Sequence, residues 1–70
     1  MKYKAKLRNV VNNGFRGIYH EFVMFDLGEI YITEYTDAEI IFDESKRYKV
    51  VECLRFHGVN YAKFEKIEES

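Results

Sequence analysis

Residues 18–35 have the sequence IYHEFVMFDLGEIYITEY, and this stretch decides how the rest of the chain is interpreted. Two runs rich in Ile, Val, Tyr and Phe, residue types that are enriched in strands, flank a DLG triplet at residues 26–28. Such a triplet favours a type I turn that ends in a left-handed glycine and a bulge. The stretch therefore predicts a β-hairpin with strands over residues 18–25 and 29–35.

The remainder of the chain continues this pattern, with short apolar runs separated by Gly, Asn or Asp at intervals of roughly eight to twelve residues. It predicts further strands over residues 2–11, 48–57 and 60–67. Glycine stands first in the dipeptide Gly58-Val59, which favours a type II′ turn between the last two strands.

Residues 37–45 allow two interpretations. Thr36 and Glu39 have the spacing of a capping box, which indicates one short helical turn. The apolar triplet at residues 40–42 instead favours a short strand, because it is β-branched and aromatic. With the strand preferred, the chain is predicted to be all-β, as a small antiparallel barrel or curled meander of five to six strands.

Length and composition limit the classes of protein that this chain can belong to. It has 70 residues, which predicts a single small β domain over residues 1–70. A net charge of −1 and 17% aromatic residues exclude a disordered chain and a strongly basic nucleic-acid module. One cysteine excludes an internal disulfide, and there is no apolar leader segment, so a cytoplasmic location is expected.

Charge is segregated along the chain. Residues 1–16 hold five basic side chains and no acid, whereas residues 17–45 hold eight acids and no Lys or Arg. The two segments either cancel within the fold or leave patches of opposite sign. Four basic residues alternate along the first strand and share one face, where they either protect a sheet edge or contact phosphates or an acidic protein: Lys2, Lys4, Lys6 and Arg8.

The predicted hairpin has two faces, because successive side chains of a strand alternate. One face forms a core, and it carries Ile18, Phe22, Met24, Ile30 and Ile32. The other face is aromatic and acidic, and it carries Tyr19, Glu21, Val23, Phe25, Tyr31 and Tyr35. This aromatic–acidic face is either covered by another part of the barrel or exposed as a contact surface. Its carboxylates repel phosphates, so an exposed face favours a protein partner.

A second hypothesis is nucleic-acid binding. It uses the C-terminal hairpin, the only region that combines basic and aromatic residues, together with the basic first strand. The candidate residues are Lys2, Lys4, Lys6, Arg8, Arg55 and Tyr61.

The sequence offers no catalytic or metal-ligating pattern. Cys53 and His57 lie four residues apart on a predicted strand, which separates them by roughly 13 Å and excludes a dyad. Cys53 stands in an apolar run and is interpreted as a small buried hydrophobe. Without CxxC, HxxxH or an EF-hand loop, we expect no enzyme activity, no catalytic residue, no metal ligand and no cofactor.

In size and strand spacing, the chain resembles the small SH3-like and OB-like β-barrel modules that bacteria and their phages use as adaptors and inhibitors. The resemblance implies a non-enzymatic protein–protein interaction module, of the phage or mobile-element inhibitor or adaptor type. Because a single core this small rarely supplies more than about 3–5 kcal/mol of stability, we also expect a homodimer.

Overall fold

The structure is a computed structural model that describes residues 1–11, 14–34, 36–61 and 63–67, with the backbone alone at residues 60 and 61. These residues include two helices, so the prediction of an all-β fold was wrong. A 3₁₀ turn over Glu44–Lys46 leads from the third strand into the second helix. In chain order the elements are β1 (Lys2–Arg8), α1 (Phe15–Met24), β2 (Glu29–Glu34), β3 (Asp37–Asp43), α2 (Arg47–Phe56), β4 (Asn60–Tyr61) and β5 (Glu65–Ile67).

Helix α1 replaces the strand predicted over residues 18–25. Its buried residues are Ile18 and Phe22, which lie one helical turn apart, and Phe15 packs against the same core. This spacing has the period of a helix, not the alternation of a strand. Alternation placed Met24 in the core, but its side chain is 58% exposed.

Helix α2 replaces the strand predicted over residues 48–57. Its buried residues are Val50, Cys53 and Leu54, at the i, i+3 and i+4 positions of one helical face. The helix buries only these three residues, and it leaves Tyr48 and Phe56 exposed on its outer side.

The predicted turns are helix C-terminal caps. Asp26 and Gly58 adopt left-handed conformations, with φ of 50° and 66°. The N–H groups of the following residues, Leu27 and Val59, donate to carbonyls five residues back at 3.0 and 2.9 Å. These bonds define Schellman motifs, which satisfy the last carbonyls of each helix. The two predicted hairpin turns were therefore wrong, because these left-handed residues end helices, and at the first cap the left-handed residue is Asp26 and not Gly28.

The sheet is open and has the strand order β2-β3-β1, with β4 and β5 both on the far side of β1. All pairs are antiparallel. Strand β4 pairs with the end of β1 and β5 with its start, so the two share one strand position. No pairing between the described strands closes a barrel. The order β-α-β-β-α-β with this sheet is the split-βαβ, or ferredoxin-like, arrangement.

Strand β3 confirms the preferred interpretation of residues 37–43, and the helical turn comes only after it, at Glu44–Lys46.

Both helices contribute to one core on a single face of the sheet. On β1 the core residues are Ala5 and Leu7, which face Ile40 and Ala38 of β3. The basic residues of β1 alternate with these and therefore point to the opposite, open face. The predicted split of β1 into a basic and an apolar face is confirmed. However, β1 is a central strand, so its lysines do not protect a sheet edge.

Candidate functional site between the two helices

The residues of the predicted aromatic–acidic face do not share one surface, because the hairpin that would join them does not exist. Tyr19 and Val23 are exposed on α1. Glu21 and Phe25 line a cleft between α1 and α2. Tyr31 lies on the open face of the sheet, where its hydroxyl donates a 3.0 Å hydrogen bond to Glu29. Tyr35 lies outside the described residues.

The interhelical cleft has a volume of about 330 Å³. Its aromatic walls come from both helical segments, with Phe25 at the end of α1 and Phe56 at the end of α2. These rings are 52% and 80% exposed, respectively. The lining residues are Glu21, Phe25, Leu27, Lys49, Glu52, Cys53 and Phe56.

Local structure explains why the two phenylalanines stand at the cleft. The N–H of Phe25 donates to the carbonyl of Glu21 at 3.0 Å, which closes the last turn of α1. Leu27 follows as the buried apolar residue that accompanies a Schellman cap. Phe56 is the last residue of α2, and its ring meets the ring of His57 edge-on, with centroids 5.1 Å apart.

Phe56 also borders a second hollow on α2, which makes the exposed surface continuous along that helix. The residues of this hollow are Tyr48, Val51, Glu52, Arg55 and Phe56. Tyr48 is as exposed as Phe56, so aromatic rings stand uncovered at both ends of α2.

Three potential metal-ligating side chains meet beside the cleft: Glu21, Cys53 and His57. Their donor atoms all lie within 4.8 Å of one another. Nε2 of His57 is 3.3 Å from Oε1 of Glu21, and Cys53 is buried. The prediction that Cys53 and His57 cannot meet was wrong, because a helix places residues four apart on one face. The i, i+4 spacing of Cys53 and His57 was the signal for this cluster, and the assumption of a strand concealed it.

Gly17 of α1 leaves the space that the His57 ring occupies. A Cβ atom at Gly17 would lie 2.9 Å from Cε1 of His57, closer than real Cβ contacts allow. Glycine inside a helix costs about 1 kcal/mol relative to alanine. The imidazole therefore packs directly against the α1 backbone at a position where any other residue would displace it.

The Cys53 thiol is protonated at neutral pH. Burial raises its pKa to about 12, helped by the Glu21 carboxylate, which accepts a hydrogen bond from the thiol and repels the thiolate. A nucleophilic cysteine needs a lowered pKa. The Cys–His–Glu cluster therefore lacks the thiolate of a cysteine hydrolase despite having the right residue types.

The residues of the nucleic-acid hypothesis are not brought together. Arg55 is on α2, across the sheet from the basic side chains of β1. Tyr61 pairs with Leu7 through its backbone in β4. On the open face, acidic residues stand beside the row of Lys2, Lys4, Lys6 and Arg8.

The register of β1 explains this charge matching. Lys2 pairs with Asp43 and Lys6 with Glu39 on β3. On the other side, Nζ of Lys4 is 3.8 Å from Oε2 of Glu65. The basic and acidic segments of the sequence therefore meet as neighbouring strands.

Within the described residues, neither helix has the length and apolar character needed to cross a membrane. No protein family, curated protein or solved structure matches this chain.

Proposed function

We propose that this protein is a non-enzymatic interaction module that binds another protein through the interhelical cleft. The partner presents a segment in which a large apolar side chain is followed or preceded by Lys or Arg. One observation carries the proposal: Phe25 and Phe56 project from two different helices onto the same cleft and remain largely exposed.

The apolar part of the partner follows from these rings. Aromatic side chains are enriched in protein interfaces, and those that fill or border a pocket contribute most to affinity. A cleft of about 330 Å³ is at the small end of the range for binding pockets. It suits one or two inserted side chains better than an extended ligand.

The charged part of the partner follows from the carboxylates. Glu21 and Glu52 line the cleft, and among the described residues Lys49 is the one basic residue that lines it. Carboxylates beside aromatic rings disfavour phosphate groups and favour a basic side chain. This is the combination expected of a protein partner and not of a nucleic acid.

An inhibitor or adaptor role fits a module whose protonated Cys53 offers no nucleophile. A cytoplasmic location belongs to the same proposal, since the lone cysteine forms no internal disulfide. A homodimer through the same cleft is the competing arrangement.

Selection from a random peptide library on the immobilised protein tests the proposal. We expect enriched peptides in which a Leu, Phe or Trp adjoins a Lys or Arg. Phe25→Ala and Phe56→Ala should each weaken the selected peptides by about 30-fold, as a binding residue worth about 2 kcal/mol requires. Tyr31→Ala, on the opposite face of the sheet, is the matched control and should bind normally.

Three results would contradict the proposal. One is the absence of any enriched motif. Another is a selected peptide whose affinity does not respond to the loss of Phe25 or Phe56. The third is a stable dimer, seen by sedimentation, that Phe56→Ala dissociates, because a second copy would then occupy the cleft.

A further inference from the structure

We propose that Glu21, Cys53 and His57 form a zinc site, with a fourth coordination position open to the interhelical cleft. Zinc is bound in proteins by exactly these donor types, and sites with three protein ligands keep one position for water or another ligand. Glu21 lies on α1, Cys53 lies on α2, and His57 is the residue that caps the end of α2, so the ion would join the two helices at the point where the cleft begins.

The observed geometry is close to that of a tetrahedral site. With zinc–nitrogen and zinc–oxygen bonds of about 2.0 Å, tetrahedral angles place the two ligand atoms about 3.3 Å apart. The distance from Nε2 of His57 to Oε1 of Glu21 is 3.3 Å. Since all three donor atoms lie within 4.8 Å of one another, the sulfur of Cys53 needs a shift of only about 1 Å to complete the set.

A second, independent observation concerns His57. Its Nε2 is buried and, among the described residues, accepts or donates no well-directed hydrogen bond, although the Glu21 carboxylate faces it. A buried nitrogen without a hydrogen bond destabilises the fold. A cation between the imidazole nitrogen and the carboxylate oxygen would satisfy both atoms.

Gly17 adds a third observation, because its missing side chain is what admits the His57 ring. Glycine is a poor helix former, but at this position in α1 it leaves the space in which His57 can act as a ligand.

The types of ligand in this cluster favour zinc. Thiolate is a soft ligand and imidazole suits zinc and neighbouring transition metals, whereas magnesium and calcium prefer sites made of oxygen ligands alone. On binding, the Cys53 sulfur forms a bond to the metal and its proton leaves to solvent, so one thiol proton is released for each ion bound.

The test is a titration of the metal-free full chain with Co²⁺, followed by displacement with Zn²⁺. We expect one ion per chain, a thiolate-to-cobalt charge-transfer band in the near ultraviolet, and visible bands of tetrahedral intensity. Zn²⁺ should abolish both sets of bands and raise the thermal midpoint of the protein.

Substitutions identify the ligands. Cys53→Ala should remove the charge-transfer band, and His57→Gln and Glu21→Gln should each weaken binding by about tenfold or more, since each removes one of three protein ligands. His20→Gln and Glu44→Gln are the matched controls, because His20 is the other histidine of the chain and Glu44 is an exposed carboxylate in the 3₁₀ turn before α2. Both controls should bind as the parent protein does. Gly17→Ala should keep its helix content yet weaken binding, because the added methyl group displaces His57.

Circular dichroism of each metal-free variant separates lost ligation from lost folding. Cadmium-113 NMR of the unsubstituted protein reports sulfur ligation directly and supports the site even if Cys53→Ala does not fold. The proposal is overturned if micromolar Zn²⁺ does not bind at one equivalent. It is equally overturned if the cobalt and cadmium spectra show no sulfur ligand, or if the Cys53 and His57 variants bind unchanged.

Discussion

The helix-covered side of the sheet and its open face differ in whether their exposed side chains have neighbours of complementary character within the fold. On the open face, Lys2 and Lys6 are paired in register with Asp43 and Glu39 of the neighbouring strand. On the helical side, Phe25 and Phe56 stand exposed around a cleft, and the cluster of three donors lies beside it. An exposed apolar patch signals contact with a partner, whereas a row of alternating charges is satisfied by its neighbours and by water. Recognition is therefore expected on the helical side.

The largest change in the free energy of unfolding is expected in the core beneath the helices. Phe22→Ala should lower the free energy of unfolding by about 3–5 kcal/mol, because Phe22 is fully buried against the sheet. A domain of this size has little more than that in total, so the variant should be largely unfolded at 25 °C. Urea denaturation followed by circular dichroism measures the change.

Tyr31→Ala is the control on the open face. It should cost about 1 kcal/mol or less, as expected for one cross-strand pair. If Tyr31→Ala unfolds the protein while Phe22→Ala stays folded, the assignment of the covered face is inverted.

The same contrast explains which strands were predictable from sequence. Strands β1 and β3 have side chains that alternate between the core and the open face, so period two identified them. Helix α1 was not predicted because Ile18 and Phe22 are four residues apart, and both a strand and a helix place residues with that spacing on one face. The deciding signal was Phe15, which packs against the same core three residues before Ile18, a spacing that fits a helix and not a strand.

The sequence named only two of the seven described residues that line the cleft. Glu21 and Phe25 were selected as partner-binding residues, and both line the cleft. Phe56, Cys53 and His57 were missed, because their meeting depends on the rotation of α2 and on its packing against Gly17. Local sequence does not encode the contact between two helices, whereas it does encode the alternation of a strand.

The stability that each face contributes should also depend on pH, at opposite ends of the pH scale, and the effect should be larger on the helical side. The folded protein raises the pKa of Cys53 to about 12, above its value in the unfolded chain of about 9. The unfolded state therefore loses this proton first, and stability falls as the pH rises from about 9 toward 12. At about 1.4 kcal/mol for each pH unit above 9, the linked loss reaches about 3 kcal/mol by pH 11, and Cys53→Ala should not show it.

Urea midpoints of the parent and Cys53→Ala, measured in a chelator between pH 7 and 11, check this expectation. Tyr and Lys titrate in both proteins, so the difference between the two curves isolates the thiol. Parallel curves would show that Cys53 is not held in a desolvated, protonated state.

Charge matching on the open face predicts a smaller effect. Lys6→Glu places a carboxylate opposite Glu39 and should cost about 0.2–1 kcal/mol. The double substitution Lys6→Glu with Glu39→Lys restores opposite charges and should recover most of the loss. Failure of the exchange to recover stability would indicate that these residues do not face each other across the strands.

The smallest effect is expected at the acidic end of the pH scale, at the corner of the open face. The pKa of Asp43 lies below its ordinary value, first because the N–H of Ser45 donates to its Oδ1 at 3.0 Å, and also because the amino terminus lies near its other oxygen. A carboxylate with a lowered pKa stabilises the fold at neutral pH, and that contribution disappears as the pH falls below about 4.

Asp43→Asn keeps an oxygen that accepts from Ser45 but carries no charge. Its thermal midpoint should therefore fall less steeply than that of the parent between pH 4 and pH 2, and added salt should narrow the difference because the pair is exposed. All other carboxylates are common to both proteins, so identical slopes would mean that the charge of Asp43 does not stabilise the 3₁₀ turn that leads into α2.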